Sequence, residues 1–276
     1  MNDSLPSVLT IAGSDSGGGA GIQADLRTFH SFKVYGCSVI TAVTSQNPDE
    51  VCRVDVLPVE AIRTQMESVL DLFPVRYAKT GMLAGREIIE CVAELVQKYD
   101  LNLVVDPVMV STSGTRLLEE SAISAMTEKL FPAAQWITPN IPEAELICNR
   151  NIQSPDDLAV AALELYNQYG CNVLLKSGHA ISSDRVTDIV CYHGRIFALS
   201  SPVVNIRKNT AHGTGCTLSA AMAANLALGK SWDQALKETK AFVYGSLYEN
   251  KVLSENLSQM YPPENNYLNK TALEEL

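Results

Sequence analysis

Asn209-Thr-Ala-His-Gly-Thr-Gly-Cys-Thr-Leu-Ser-Ala-Ala-Met-Ala-Ala-Asn225 changes character half-way along. It is polar and glycine-rich up to Cys216, then small, apolar and free of glycine. That reads as a loop running straight into a helix, with Gly213 and Gly215 at the junction. Glycines there let the backbone N–H groups of residues 213–216, Thr214 among them, turn outward, where the first helical turn leaves them unpaired. Unpaired amides at the positive end of a helix dipole suit an anion, most naturally a phosphate. Ser219, Ala220, Ala221, Ala223 and Ala224 keep the helix slim enough to pack closely on a sheet. Cys216 would stand in the amide ring, where a thiol's pKa is expected to fall. A glycine turn before a buried alanine helix, with an inert cysteine, fits the same stretch. The rest of the chain has to decide.

Outward from this stretch, strand-length and helix-length patterns alternate. Val8–Ala12, Val39–Val43, Val75–Lys79, Leu103–Val105, Trp136–Thr138 and Asn172–Lys176 read as strands. Helices are expected over Ile22–Phe32, Val59–Phe73 behind Pro58, the segment from Ile88 to Tyr99, and Ala122–Leu130. A short one opens at Pro139-Asn-Ile-Pro142, and Ser154-Pro155 caps another over Asp157–Tyr169. Val186–Tyr192 and Arg195–Ser200 flank His193-Gly194 as a hairpin. Ser231-Trp-Asp-Gln234 has capping-box spacing ahead of the last long helix. The expectation is one α/β domain over residues 1–276, a doubly wound, mainly parallel sheet with helices on both faces. From about residue 254 the chain turns polar, with Pro262-Pro263 and Asn265-Asn266, and a loosely ordered tail is expected.

With 276 residues, 46% of them hydrophobic, the chain can bury a full core. No apolar run is long enough to cross a bilayer, and Met1-Asn-Asp-Ser-Leu-Pro6 does not resemble a signal peptide. Seven cysteines, odd in number and without C-x-x-C spacing, point to reduced thiols in a cytoplasm. A net charge of -10 argues against nucleic acid and membrane partners and leaves any anionic ligand to local groups.

In such sheets chemistry gathers where strands end. That rule selects Asp15, Gln46, Met82, Asp106, Asn140, Glu143, Lys176 and the Gly213–Cys216 loop. Carboxylates at a strand end (Asp106) and a helix start (Glu143) suit hydrated magnesium. With a lysine and an amide ring they supply what phosphoryl transfer needs. Asp106 also fits a turn cap before Pro107, Glu143 a helix N-terminus, and Lys176 a solvated surface charge. Gly19-x-Gly21-x-x-Ala24 formally matches a dinucleotide fingerprint. Ser14, Asp15 and Ser16 separate it from its strand, however, and no strand ends in an acidic residue at the right distance.

Seven motifs then carry a resemblance. T-I-A-G-S-D-S-G-G-G-A-G-I-Q-A-D-L-R-T-F, Y-G-C-S-V-I-T-A-V-T-S-Q-N, K-T-G-M-L, V-V-D-P-V-M-V, T-P-N-I-P-E-A-E, L-L-K-S-G-H and H-G-T-G-C-T-L-S-A-A resemble the hydroxymethylpyrimidine/phosphomethylpyrimidine kinases of thiamine biosynthesis, with their ribokinase-like fold. The resemblance runs in unbroken order from about Val8 to Tyr248. It implies a kinase using ATP and Mg2+ on the hydroxymethyl group of an aminopyrimidine and then on the monophosphate, and it suggests a homodimer. By motif position it implies that Gly13, Asp25, Gln46 and Met82 surround the pyrimidine, with Val43 in the wall. Asp106 and Glu143 would serve the metal, and Asn140, Lys176 and His212 the nucleotide and phosphates. Gly213, Thr214 and Gly215 would form the anion hole, with Cys216 as the base or an orienting group.

Three departures stand out. Ala211 is an extra residue in N-T-A-H-G-T-G-C, S-T-S-G-T-R follows Asp106 where A-K-S-G-D-R is common, and Gly17 replaces a frequent serine. The nearest rival is a pyridoxal kinase of the same subgroup; Gln46 and the threonine in G-T-G-C favour the pyrimidine. A catalytically silent sensor on the same fold would be expected to lose Asp106, Glu143 or Cys216, and all three are present.

Overall fold

Alternation along the strands divides the apolar residues between two cores. In β1 (Ser7–Asp15), Leu9 and Ile11 enter one core and Val8 the other. Leu103 and Val105 oppose Val104 in β5 (Asn102–Val105), as Val173 and Leu175 oppose Leu174 in β7 (Asn172–Leu175). Strands apolar on both faces need helices on both faces. The first core is filled from α2 (Val59–Leu70), α3 (Arg86–Lys98), α4 (Glu120–Ala125), α5 (Ile141–Cys148) and α6 (Pro155–Tyr169). The second is filled from α1 (Gly21–Ser31), α7 (Thr214–Ala227) and α8 (Trp232–Tyr248).

The computed structural model describes residues 5–109, 118–178, 184–206 and 208–276. Its remaining strands are β2 (Tyr35–Gln46), β3 (Val51–Val56), β4 (Tyr77–Thr80), β6 (Trp136–Ile137), β8 (Arg185–Tyr192), β9 (Arg195–Pro202), β10 (Lys251–Ser254), β11 (Leu257–Gln259) and β12 (Ala272–Glu275). Ten strands form one sheet in the order β12-β9-β8-β7-β6-β5-β4-β1-β2-β3. The run from β2 through β7 is parallel, and the strands beyond it on both sides pair antiparallel. The doubly wound, mainly parallel sheet expected from the alternation is therefore present. β2 and β4 lie on opposite sides of β1, so the chain reverses its travel across the sheet there. That switch leaves a crevice at the strand ends. α7 packs against β1, β4 and β5 and against its neighbours α1 and α8.

Four local readings need correction. Residues beyond 254 are not loose: β12 pairs with β9 from Ala272↔Ser200 to Glu275↔Phe197. The Glu249 carboxylate also accepts bonds from the Glu264 N–H at 2.7 Å and the Tyr267 hydroxyl at 2.7 Å. A polar tail can be ordered when its donors converge on one acceptor. Ser231 makes no bond to the helix amides, because its hydroxyl turns to Asp233 at 2.6 Å. The helix over 122–130 is α-helical only to Ala125 and continues as a π-helical turn, Met126–Leu130. β3, which the sequence reading leaves unassigned, is an edge strand exposed along its whole length, so it has no buried face to set a pattern.

Candidate active site

Asp15 ends β1, and the glycine loop folds round its carboxylate. Oδ1 accepts the Gly17 N–H and Oδ2 the Ala20 N–H, each at 2.8 Å. His212 Nε2 lies 3.1 Å from the same Oδ2, and the Gln46 side-chain amide lies 3.2 Å from that ring nitrogen. Burial pulls the Asp15 carboxyl up, but His212 and then the Ala20 and Gly17 amides outweigh it, so its pKa falls below the usual carboxylate value. Ser16 fastens the Gln46 backbone from both sides: its Oγ donates to the carbonyl and accepts the N–H, each at 2.8 Å. A methyl group on Gly13 would touch Met82 Cε at 3.6 Å, and half-exposed Val43 pairs with Ser14 across the strands. Gly13, Val43, Gln46, Met82 and His212 thus meet around the ends of β1 and β2. His212, expected with the nucleotide, stands beside Gln46 and Asp15.

Asp25 does not join them. It is wholly buried on α1, where Lys79 Nζ lies 3.1 Å from both of its oxygens and the Thr10 hydroxyl donates at 2.6 Å. It has no surface to offer a ligand, and both its oxygens are held by the buried Lys79 ammonium. Lys79 is the residue that sequence reasoning missed. The signal was there, a lysine closing an otherwise apolar strand run, Val75–Lys79.

The turn before α7 is shaped by contact with the first loop. Gly213 has φ +83°, and a methyl group there would sit 1.9 Å from the Gly19 carbonyl oxygen. No side chain caps α7, so its first-turn amides have no side-chain acceptor at the cap. The extra Ala211 is absorbed in a 3-10 turn, Lys208–Ala211, whose last carbonyl accepts the Thr214 hydroxyl at 2.5 Å. The far end of the chain braces this turn. Buried Thr210 and Ser258 share a hydrogen bond at 2.5 Å, and the Thr214 hydroxyl lies 3.4 Å from Met260 Sδ.

Gly215 connects the turn to the charged groups. A methyl group on it would lie 3.4 Å from both Asp106 Oδ2 and Lys176 Nζ. Lys176 Nζ reaches Asp106 Oδ1 at 2.9 Å, and its backbone N–H donates to the Pro139 carbonyl at 2.8 Å. Burial lowers the Lys176 pKa, yet Asp106 and then Glu143 outweigh it and hold the ammonium above its ordinary value. Asn140 caps α5 by accepting the Glu143 N–H, while Glu143 accepts the Asn140 and Met109 N–H groups at 2.9 and 3.1 Å. Burial pushes the Glu143 carboxyl up, with Lys176 opposing and Asp106 adding to the rise.

This bears on the metal. Both Glu143 oxygens already hold backbone donors, and one Asp106 oxygen holds Lys176. Glu143 is therefore a cap first, and direct ligation by it is not what the geometry favours. Among the described residues no three His, Cys, Asp or Glu side chains gather as a metal-binding group. The Asp106 carboxylate suits magnesium that arrives with its own waters and phosphates.

Cys216 is half-buried in the first turn of α7. Its thiol is pushed up to about 11 by burial, with Asp25 and Asp106 adding and Lys79 and the Gly21 N–H opposing. The expected fall toward neutrality is overturned: desolvation and two carboxylates outweigh a helix terminus and one lysine. Of the three departures, Gly17 stands where a methyl group would lie 3.2 Å from Asp15 Oδ1 and from the Gln46 carbonyl oxygen, so glycine relaxes a tight corner. S-T-S-G-T-R, residues 111–116, lies outside the described residues.

Known proteins match this chain in sequence and in fold. The family model described as phosphomethylpyrimidine kinase covers residues 15–260. The chain belongs to that family. The hydroxymethylpyrimidine/phosphomethylpyrimidine kinase of Haemophilus influenzae is 44% identical over 264 residues, 94% of this chain and 96% of that one. Among solved structures, phosphomethylpyrimidine kinase from Clostridium difficile is 40% identical with a TM-score of 0.76, covering 87% of this chain and 98% of its own. Pyridoxal kinase from Staphylococcus aureus in complex with AMP-PCP is 32% identical with a TM-score of 0.88, covering 99% and 100%. The fold is thus the ribokinase-like one that pyrimidine and pyridoxal kinases share. No helix among the described residues is long and apolar enough to cross a membrane.

Proposed function

We propose that this phosphomethylpyrimidine kinase family member phosphorylates 4-amino-5-hydroxymethyl-2-methylpyrimidine, and then its monophosphate, at the expense of ATP in thiamine biosynthesis. The observation that carries this reading is the position of the uncapped α7 turn. Gly215 stands against Asp106 and Lys176, while His212, three residues earlier, stands against Gln46. One turn thereby adjoins both the group that would read an aminopyrimidine and the cation that would face phosphate. An amide can donate and accept together, which matches a ring nitrogen beside an amino group.

Magnesium-bound ATP supplies the phosphoryl group and part of the charge neutralisation. The chain's own residues do the rest. The amides of residues 213–216 hold the charge that develops on the transferring group, and Lys176 neutralises the phosphate oxygens. Asp106 orients Lys176 and would hold hydrated magnesium, which would supply further charge neutralisation. Asn140 and Glu143 fix the start of α5 beside them. Cys216, a neutral thiol at pH 7, orients the substrate hydroxymethyl oxygen, and a loose transition state needs little help from a base.

An ADP-release assay tests this, run with the aminopyrimidine alcohol, its monophosphate, pyridoxal, pyridoxine and pyridoxamine. The expected result is turnover of the first two above all three vitamers. Preference for pyridoxal would transfer the reading to the second activity found on this fold. The exposed edge strand β3 fits a homodimer in solution, checked by light scattering, and seven free cysteines fit a reducing cytoplasm.

A further inference from the structure

Lys176, the cation that would face phosphate, stands between two carboxylates and pairs with one of them. β7 and β8 run antiparallel, with Leu174 opposite Val190 and Leu175 opposite Ile189. The next step of that register sets Lys176 opposite Asp188, and opposite residues of an antiparallel pair share one face of the sheet. The Lys176 ammonium nevertheless lies 2.9 Å from Asp106 Oδ1, at the end of β5, beyond β6 and away from β8. We infer that Lys240 and Asp188 are positioning residues for Lys176: Lys240 occupies the carboxylate across the strands and leaves the Lys176 ammonium to Asp106 and the anion turn. The inference rests on the functional reading above, in which Lys176 neutralises phosphate oxygens, and it extends that site to a buried ion pair that touches no reactant.

Asp188 is engaged at both oxygens. Oδ2 lies 2.6 Å from Lys240 Nζ, reaching in from α8, and Oδ1 accepts the Ser177 N–H at 3.0 Å. The side chains of the pair are only 6% and 3% exposed, so water cannot stand in for either partner. A buried carboxylate deprived of its cation is costly, and it takes another cation where one is near.

The backbone leaves Lys176 nothing to choose but its side-chain direction. Its N–H donates to the Pro139 carbonyl at 2.8 Å, and the next N–H, of Ser177, is held by Asp188. A four-carbon stem turns readily about a fixed Cα. Directed as it is, Nζ adjoins the turn before α7, since a methyl group on Gly215 would lie 3.4 Å from it and from Asp106 Oδ2 alike. Directed at Asp188, it would leave Asp106 without its cation.

Isothermal titration with AMP-PCP and magnesium reads the phosphate side without turnover, and Lys176→Met sets the scale of a full loss. Lys240→Met leaves Asp188 unpaired with Lys176 beside it, so Kd should rise about tenfold, roughly one hydrogen bond to a charged group. KM for the aminopyrimidine alcohol should stay within about twofold, a split that general loss of structure would not give. Adding Asp188→Asn to Lys240→Met keeps an acceptor for the Ser177 N–H and removes the competing charge. Kd should then return to within about threefold of the wild type. If the methionine variant does not fold, Lys240→Gln replaces it, keeping a donor on Asp188 without charge, and about a threefold rise is expected. An unchanged Kd in the single variant that folds, or a double variant as weak as Lys240→Met, overturns the inference. An unchanged Kd in Lys176→Met overturns the phosphate role of Lys176 itself, and the positioning with it.

Discussion

Lys79 and Asp25 form an ion pair with no exposure to water: Nζ lies 3.1 Å from both carboxylate oxygens, and both side chains are completely buried. Burial alone would lower the Lys79 pKa, but Asp25, ahead of Cys216 and Asp106, raises it and keeps the ammonium charged. Desolvated pairs tolerate the loss of both partners better than the loss of one. Lys79→Met should therefore cost about 3–5 kcal/mol, and Lys79→Met with Asp25→Leu much less. Urea denaturation compares the two. Equal instability in both would remove the ion pair as the cause.

Cys216 should resist alkylation at pH 7. With its thiol near 11, the thiolate fraction rises about tenfold per pH unit up to that value. Iodoacetamide labelling followed on the Cys216 peptide by mass spectrometry should climb steadily from pH 7 to 10. A plateau below pH 8.5 would restore a thiol poised for proton abstraction. Consistently, Cys216→Ala should lower kcat by less than about a hundredfold, since general bases contribute about 10²–10⁴.

Asp106→Asn removes the main partner of Lys176. A lysine raised in the folded state adds stability that is complete below its unfolded pKa of about 10.4 and is lost as pH rises through the folded value. Wild-type melting temperature should therefore fall above about pH 10.4, and the variant should start lower and fall less. Half-saturating magnesium should rise in the same variant. Normal magnesium dependence would leave Asp106 with Lys176 alone.

Gly213→Ala tests the shape of the anion turn. At φ +83°, with Gly19 oxygen 1.9 Å from the new methyl group, the backbone must move. Left-handed backbone alone costs about 1–2 kcal/mol. Displaced amides should lower kcat/KM about a hundredfold. A variant within a few-fold of the wild type would mean that the turn does not position the transferring group.

Much of this arrangement was legible in the sequence because short apolar runs and glycine junctions are local signals. The Val8–Ala12 strand and the Gly213–Gly215 turn read directly. Asn140 and Glu143 were visible as a helix start, though not as a capping box whose bonds occupy both Glu143 oxygens. What stayed hidden depends on partners distant in sequence. Nothing near Asp25 tells that Lys79, 54 residues later, will seal it from ligand. Nothing near Cys216 tells how much water the fold removes from it. The polar stretch after Ser254 looked loose because its partners, Glu249 and β9, supply acceptors and register from elsewhere.

The brace on the anion turn has a consequence for the order of events on the ribosome. Every residue proposed to meet a reactant has been made by Cys216, yet the turn is fastened by Ser258 and Met260. A domain completes its packing as it emerges. Until those last partners leave the exit tunnel, the nascent kinase carries all its chemistry on a turn without its clasp. Synthesis alone thus delays activity by some forty residues after the last reactive group has been added.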